Sequence, residues 1–261
     1  MKLKFYLICL FPVLLIFSCS RIPHSEIPNI NTEAVLKDFQ TWYNYNYYNI
    51  KLSENYTAFD TASKSIGKET FLKSLASGEY VAFRLNTIDS SLKYKLYKLS
   101  PLIDNFIRAY GRQFGKDGYQ KYKMEGTEVP DFNFTDLNGK VYNKETTKGK
   151  IVVLKCWFIN CTVCVQEMPA LNAVVKEYKN KNDVLFISLA FDSKEKLESF
   201  LTKTKFDYAV IPVEQKYLQE KLKVTQYPTQ FIINRKGLIS KVVTDYHDMI
   251  SVLKNELSKS L

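Results

Sequence analysis

The chain has 261 residues, room for one large domain or two small ones. Hydrophobic residues make up 46% and charged residues 25%, a globular mix that excludes disorder over most of the length. The net charge is +10, but the lysines are scattered along the chain, so a nucleic-acid partner is not expected.

Motif searches narrow the chemistry further. Two histidines, His24 and His247, leave little material for a His-rich metal site or a Ser-His pair. No P-loop is present: Gly111-Arg-Gln-Phe-Gly115-Lys116-Asp117 is one residue short and lacks the hydroxyl after the lysine. No G-x-G-x-x-G occurs either, so no nucleotide cofactor is expected.

Residues 1–18 read as a signal peptide. Lys2 and Lys4 precede an apolar run, Phe5 to Phe17, too short to cross a ~30 Å hydrocarbon core as a helix. The run ends Leu15-Ile16-Phe17-Ser18-Cys19, which resembles the lipobox of bacterial lipoproteins. That resemblance implies acylation at Cys19 and a protein held at the cell envelope, facing the periplasm. An ordinary signal peptide with an incidental Cys19 is the alternative. Cys9 is removed with the leader. Losing residues 1–18 removes two lysines and no acid, so the charge falls from +10 to +8. That charge favours anionic headgroups beside a tethered body.

Beyond Cys19, residues 19–53 read as a tether and a helical lead-in over 33–48. Tyr43 to Tyr48 alternates tyrosine with asparagine in a strand-like way. Residues 54–125 read as a small α+β domain. A strand is expected at Tyr56–Ala62, a helix at Lys68–Leu75 closed by Ser77-Gly78, and a strand at Glu79–Leu85. Ser100 and Pro101 supply an N-cap and first-turn proline for a helix to Gln113, and Gly118–Gly126 reads as a linker. No element is assigned between Leu85 and Ser100.

Residues 126–261 alternate strands with helices, which predicts an α/β fold with a central sheet. Val129 to Tyr142 is a hairpin turning at Asn138-Gly139. Lys148–Cys156 is a buried strand. Thr162–Lys179 is a helix with Cys164, Met168, Leu171, Val175 and Tyr178 on one face. Strands follow at Val184–Ala190 and Tyr208–Pro212, with helices at Lys194–Thr202 and Gln215–Leu222. A hairpin across Arg235-Lys-Gly237 and a helix at His247–Leu257 complete the chain.

Cys161-Thr-Val-Cys164 sits where a strand hands over to a helix. A cysteine at a helix N-terminus faces free N–H groups and the positive end of the macrodipole, which favour thiolate, the nucleophilic form. A second cysteine one turn on can attack the resulting mixed disulfide. Two other readings stand beside this one: half of a zinc site completed by Cys156 and His247, and a structural disulfide.

The neighbourhood of this motif resembles the TlpA-like thiol-disulfide oxidoreductases of the thioredoxin superfamily. Pro130-Asp-Phe and Asn138-Gly139-Lys resemble that family's opening hairpin, and Gly149-Lys-Ile-Val-Val-Leu its strand before the active site. Trp157-Phe158, Glu167-Met-Pro169 and Val224-Thr-Gln-Tyr227-Pro228-Thr229 follow in the family's order, the last as the loop with its cis-proline. The resemblance implies a thioredoxin-like fold for 126–261, with catalytic Cys161, Cys164, Glu167 and Pro228. It also implies substrate contacts at Trp157, Tyr227 and Thr229, and no metal. It implies a reductase of disulfides in exported proteins, recharged by a membrane electron donor. Pro169 should kink its helix.

Three residues depart from the pattern. The C-x-x-C interior, Thr-Val, lacks proline. Cys156 stands where an aromatic is usual and is expected to be inert. Lys155 stands where relatives place an acid or asparagine, with Glu167 as its available partner. Two functional alternatives remain: a binding or scaffold lipoprotein working through its N-terminal domain, and a thiol peroxidase. The latter wants Pro-x-x-x-Thr-x-x-Cys, and here Cys161 takes the threonine's place.

Overall fold

The computed structural model describes residues 28, 30–87, 91–179 and 183–259. The expected leader, Cys19 and His24 lie outside the described residues. Asn31 caps a short helix, α1 (Thr32–Val35), and Asp38 caps α2 (Phe39–Asn49), where its carboxylate accepts the Thr41 N–H at 2.8 Å. The strand-like alternation at 43–48 is therefore helical. Helical spacing carries Trp42, Tyr45 and Asn46 inward and leaves Tyr43, Tyr47 and Tyr48 exposed.

The first sheet contains β1 (Tyr56–Phe59), β2 (Ser65–Ile66), β3 (Tyr80–Arg84) and β4 (Leu92–Lys98), in the order β2-β1-β4-β3. The strand β4 is new relative to the sequence reading. Its signal is present as period-two alternation, with Tyr94 and Leu96 inside and lysines between. Between β2 and β3, α3 (Lys68–Ser77) ends at Gly78, whose φ of 77° lies in the left-handed region.

Two expectations fail in α4 (Asn105–Met124). Its cap is Asp104, which accepts the Phe106 N–H at 2.7 Å, while Ser100–Ile103 closes a separate turn. The helix also runs through the expected linker. Gly111, Gly115 and Gly118 share one face and admit neighbours rather than flexibility. A Cβ at Gly115 would lie 2.4 Å from the Ala76 nitrogen, so only glycine lets α3 and α4 cross there. Val35, Trp42, Tyr45 and Ile50 share one core with Phe71, Tyr94 and Ile107. The expected boundary at residue 53 thus falls inside a packed unit.

In the second half, β5 (Asn133–Thr135) and β6 (Val141–Asn143) form the hairpin. The main sheet comprises β7 (Ile151–Trp157), β8 (Val184–Ala190), β9 (Ala209–Pro212), β10 (Thr229–Ile233) and β11 (Ile239–Val243). Its order is β11-β10-β7-β8-β9; β7, β8 and β9 are parallel, and β10 and β11 antiparallel. This is the central mixed sheet of the thioredoxin-like fold.

Helices cover one face: α5 (Thr162–Gln166), α6 (Met168–Tyr178), α7 (Lys194–Leu201) and α8 (Tyr246–Ser258). The hairpin and a π-helical turn, Tyr217–Lys221, cover the other. The helix expected as one piece over 162–179 is divided at Glu167, because Pro169 has no N–H to offer the Val165 carbonyl. Past the break, Val174 rather than Val175 is buried.

The two halves meet along β11, the open edge of the main sheet. Gly126 N–H donates to the Ile239 carbonyl and Ile239 N–H to Thr127, both at 2.8 Å, and α4 packs beside this strand. This edge is thereby partly covered. Glu125 accepts from Lys241 at 2.9 Å, with Lys68 3.9 Å away. Burial, with Lys241 close by, pushes Lys68 down to about 8. Charging Lys68 therefore costs more in the folded chain than in the unfolded one. Its full stability is present above the ordinary value of 10.5 and is lost as pH falls through about 8. Lys68→Met should thus raise stability at pH 7 by up to about 3 kcal/mol. The gain should shrink by more than half by about pH 9.5. Urea unfolding at the two pH values measures this, and a pH-independent difference contradicts it.

Candidate active site

At the C-terminal end of β7 the chain turns through Phe158–Asn160 and starts α5 at Cys161. Two contacts hold the turn: Cys161 N–H donates to the Phe158 carbonyl at 3.1 Å, and Ile159 N–H donates to the Asp192 carboxylate at 2.8 Å. Asp192 was not singled out from the sequence. Its signal is modest, a polar residue directly after an apolar strand run, next to the α7 cap Ser193.

Cys161 and Cys164 form a disulfide, with S–S 2.01 Å and Cα–Cα 5.2 Å. Cys161 is the N-cap of α5, and its sulfur accepts the Cys164 N–H at 3.3 Å. Cys161 is 8% exposed and Cys164 fully buried, so an attacking group reaches Cys161 first. Thr162 and Val163 are exposed beside it. The Tyr227–Pro228 peptide is cis. Tyr227 is half-buried and packs on Phe158 and Phe191, with ring centres 5.3 and 5.7 Å away. Phe158 and Phe191 stack at 4.9 Å. These three rings pack together at the turn that carries Cys161.

Two expected substrate contacts are corrected by burial. Trp157 is 0% exposed and packs against Phe200 and Phe206. As the last residue of β7 it ends the row of Ile151 and Val153 on the helix-covered face, and Phe158, just past the strand, is only partly buried. Thr229 is 3% exposed, and its hydroxyl donates to the Gln226 carbonyl at 2.7 Å. It braces the loop from within.

Beneath the disulfide lies a buried charge pair. Lys155 Nζ donates to Glu167 Oε1, with Lys155 fully buried and the Glu167 side chain nearly so. Desolvation lowers the Lys155 pKa and raises that of Glu167, each shift opposed by the partner's charge. Gln230 lies opposite Lys155 in the β7–β10 register, so its side chain joins this face; it is fully buried and its amide atoms have no protein partner. The sequence reading did not include Gln230; a lone polar residue in Thr-Gln-Phe-Ile-Ile was the available signal.

Cys156 occupies the other face of β7, among Leu154 and Phe231, and burial pushes its thiol far up. Alternation thus separates Cys156 from the disulfide, and the zinc set of Cys156, Cys161, Cys164 and His247 is not brought together. No group of three or more potential metal-binding side chains occurs among the described residues.

The AhpC/TSA family model matches residues 126–242. The thioredoxin-like protein YneN of Bacillus subtilis is 30% identical over 132 residues, spanning 48% of this chain and 77% of that protein. The thiol-disulfide oxidoreductase ResA of Bacillus cereus is 32% identical over 126 residues, spanning 47% of this chain and 72% of ResA. The thioredoxin domain of a Bacteroides vulgatus thiol-disulfide oxidoreductase covers 50% of this chain and 96% of its own, with 19% identity and a TM-score of 0.45. Through the half that carries Cys161 and Cys164, the chain belongs to the TlpA-like thiol-disulfide oxidoreductases of the thioredoxin superfamily.

Proposed function

We propose that this enzyme is a membrane-tethered reductase of disulfides in exported proteins, with residues 126–261 as its redox domain. The observation that supports it most is Cys161, the more accessible sulfur, held at a helix start with an N–H directed at it. In the reduced enzyme the Cys161 thiolate attacks one sulfur of a client disulfide. A Cys161–client bond forms and the other client sulfur leaves as thiolate. Deprotonated Cys164 then attacks the Cys161 sulfur and releases the second client thiolate. This leaves the Cys161–Cys164 disulfide and a client reduced by two electrons. A dithiol donor at the membrane returns the two electrons.

Glu167, held by Lys155, is the proton acceptor for Cys164. Burial raises its pKa, so it takes a proton more readily than an exposed carboxylate. Pro228 and the Tyr227 backbone form the wall against which the client chain lies. The redox state inside the cell envelope tests the direction: thiol alkylation should find Cys161 and Cys164 mostly reduced, and a mostly oxidised pool indicates an oxidase.

The tether is inferred from Leu15-Ile16-Phe17-Ser18-Cys19. No helix among the described residues is long and apolar enough to cross a membrane. Cys19→Ala should move the protein from the membrane to the soluble fraction with reductase activity intact. Unchanged fractionation, with no acyl mass on the parent, removes the anchor from the proposal.

A further inference from the structure

A cleft of about 440 Å³ opens between the N-terminal unit and the main sheet. Tyr43, Tyr47 and Tyr110 line one wall, from the parallel-running α2 and α4; Gln226, Thr244 and Asp245 line the other. The strand registers put this second wall at the catalytic end of the sheet. Thr229 at the start of β10 lies opposite Cys156 near the end of β7, and Gln230 opposite Val243 at the end of β11. The end of β11 is therefore two strand spacings, ~10 Å, from the end of β7 that delivers Cys161. An independent observation agrees: Asp245 is close enough for its charge to add to the upward push that burial gives Glu167. The far wall also continues directly into Tyr227–Pro228.

The aromatic wall is exposed. Tyr43, Tyr47 and Tyr110 are 43%, 55% and 52% accessible, and Phe39 links the two helices with ring centres 5.7 Å from Tyr43 and 4.9 Å from Tyr110. Several of the polar groups around them are engaged within the protein. Gln113 donates to Asp117, Ser53 to Asp248, and Asp245 caps α8. The exposed surface of this wall is tyrosine rings. Such rings give broad apolar contact at low entropic cost and tolerate many sequences.

We propose that this cleft holds the polypeptide segment flanking the client's cysteine, so that the N-terminal unit extends the redox site into a client-binding groove. The proposal rests on the oxidoreductase reading above. An extended chain at ~3.3 Å per residue reaches the cleft about three residues from the bound cysteine, and the ~16 Å length of α2 accommodates about five more.

Two peptides with the same disulfide, one with two flanking residues on each side and one with ten, test it. The parent should reduce the long peptide with about tenfold higher kcat/KM than the short one, the scale expected of a few ring contacts. In Tyr43→Ala/Tyr47→Ala/Tyr110→Ala that ratio should fall towards one. Tyr47→Ser alone should lower it partway, which guards against misfolding of the triple variant. A ratio near one in the parent, or an undiminished ratio in the variants, overturns the groove. Reduction of neither peptide overturns the oxidoreductase reading itself, a distinguishable result. In Cys164→Ser, the trapped long peptide with a photoactivatable group six residues from its cysteine should crosslink to α2 or α4. Crosslinks confined to other faces overturn the proposal, as does a dimer that the triple variant abolishes, which would put a second copy in the cleft.

Discussion

Cys161→Ser should abolish reduction of a model disulfide, by about a thousandfold or more, and should capture no client. Cys164→Ser should keep the first attack and lose the second, so it should accumulate mixed disulfides with exported proteins, visible as reducible high-mass species. The asymmetry comes from position. Cys161 begins α5, has an N–H directed at its sulfur and is the more accessible, whereas Cys164 is sealed inside the same core as Met168 and Leu171. The same N–H that meets the Cys161 sulfur in the disulfide faces it as a thiolate and favours the charged form. Alkylation rate against pH, measured on each single variant because the pair is coupled, should give Cys161 an apparent pKa below the ordinary ~8.5. Two variants that behave alike would remove the division of roles.

Glu167→Gln should be the most destabilising single change near the site. It leaves the fully buried Lys155 ammonium without its carboxylate, and breaking such a pair costs about 3–5 kcal/mol. Lys155→Met in the same protein should recover most of that loss, because both charges are then gone and the methionine fills the lysine's volume. Urea unfolding of the single and double variants measures the coupling; additive losses contradict the pair. The readouts separate stability from chemistry. The rescued double variant should still resolve its mixed disulfide slowly at neutral pH, because the carboxylate three residues beyond Cys164 is gone as its proton acceptor. Resolution at the parent's rate would remove Glu167 from the proton path and leave it a structural partner of Lys155.

The redox motif of the second half was legible in the sequence because its signals are local. The C-x-x-C at a strand-to-helix junction, Glu167 three residues on, Pro169 within the helix and Pro228 before an apolar strand are all readable in one dimension. The hairpin at Asn138-Gly139 was legible for the same reason: its turn chemistry needs no distant partner. What failed was whatever depended on a neighbour remote in sequence. Gly118 looks like the start of a linker until Leu52 and the α3 residue Leu72 are placed against it. A helix was expected over 33–48, but the tyrosine–asparagine alternation within it stays ambiguous until the core that takes Trp42 and Tyr45 selects the helical period. Trp157 and Thr229 belong to a site motif, yet which residue of such a motif reaches solvent depends on which face of the sheet is covered, and here helices and loop bury both. The union of Lys155, Glu167 and Gln230, and the placement of a tyrosine-lined cleft at the catalytic end of the sheet, were decided by the tertiary structure alone. Strand register and the docking of α4 on β11 bring together side chains that no local period connects.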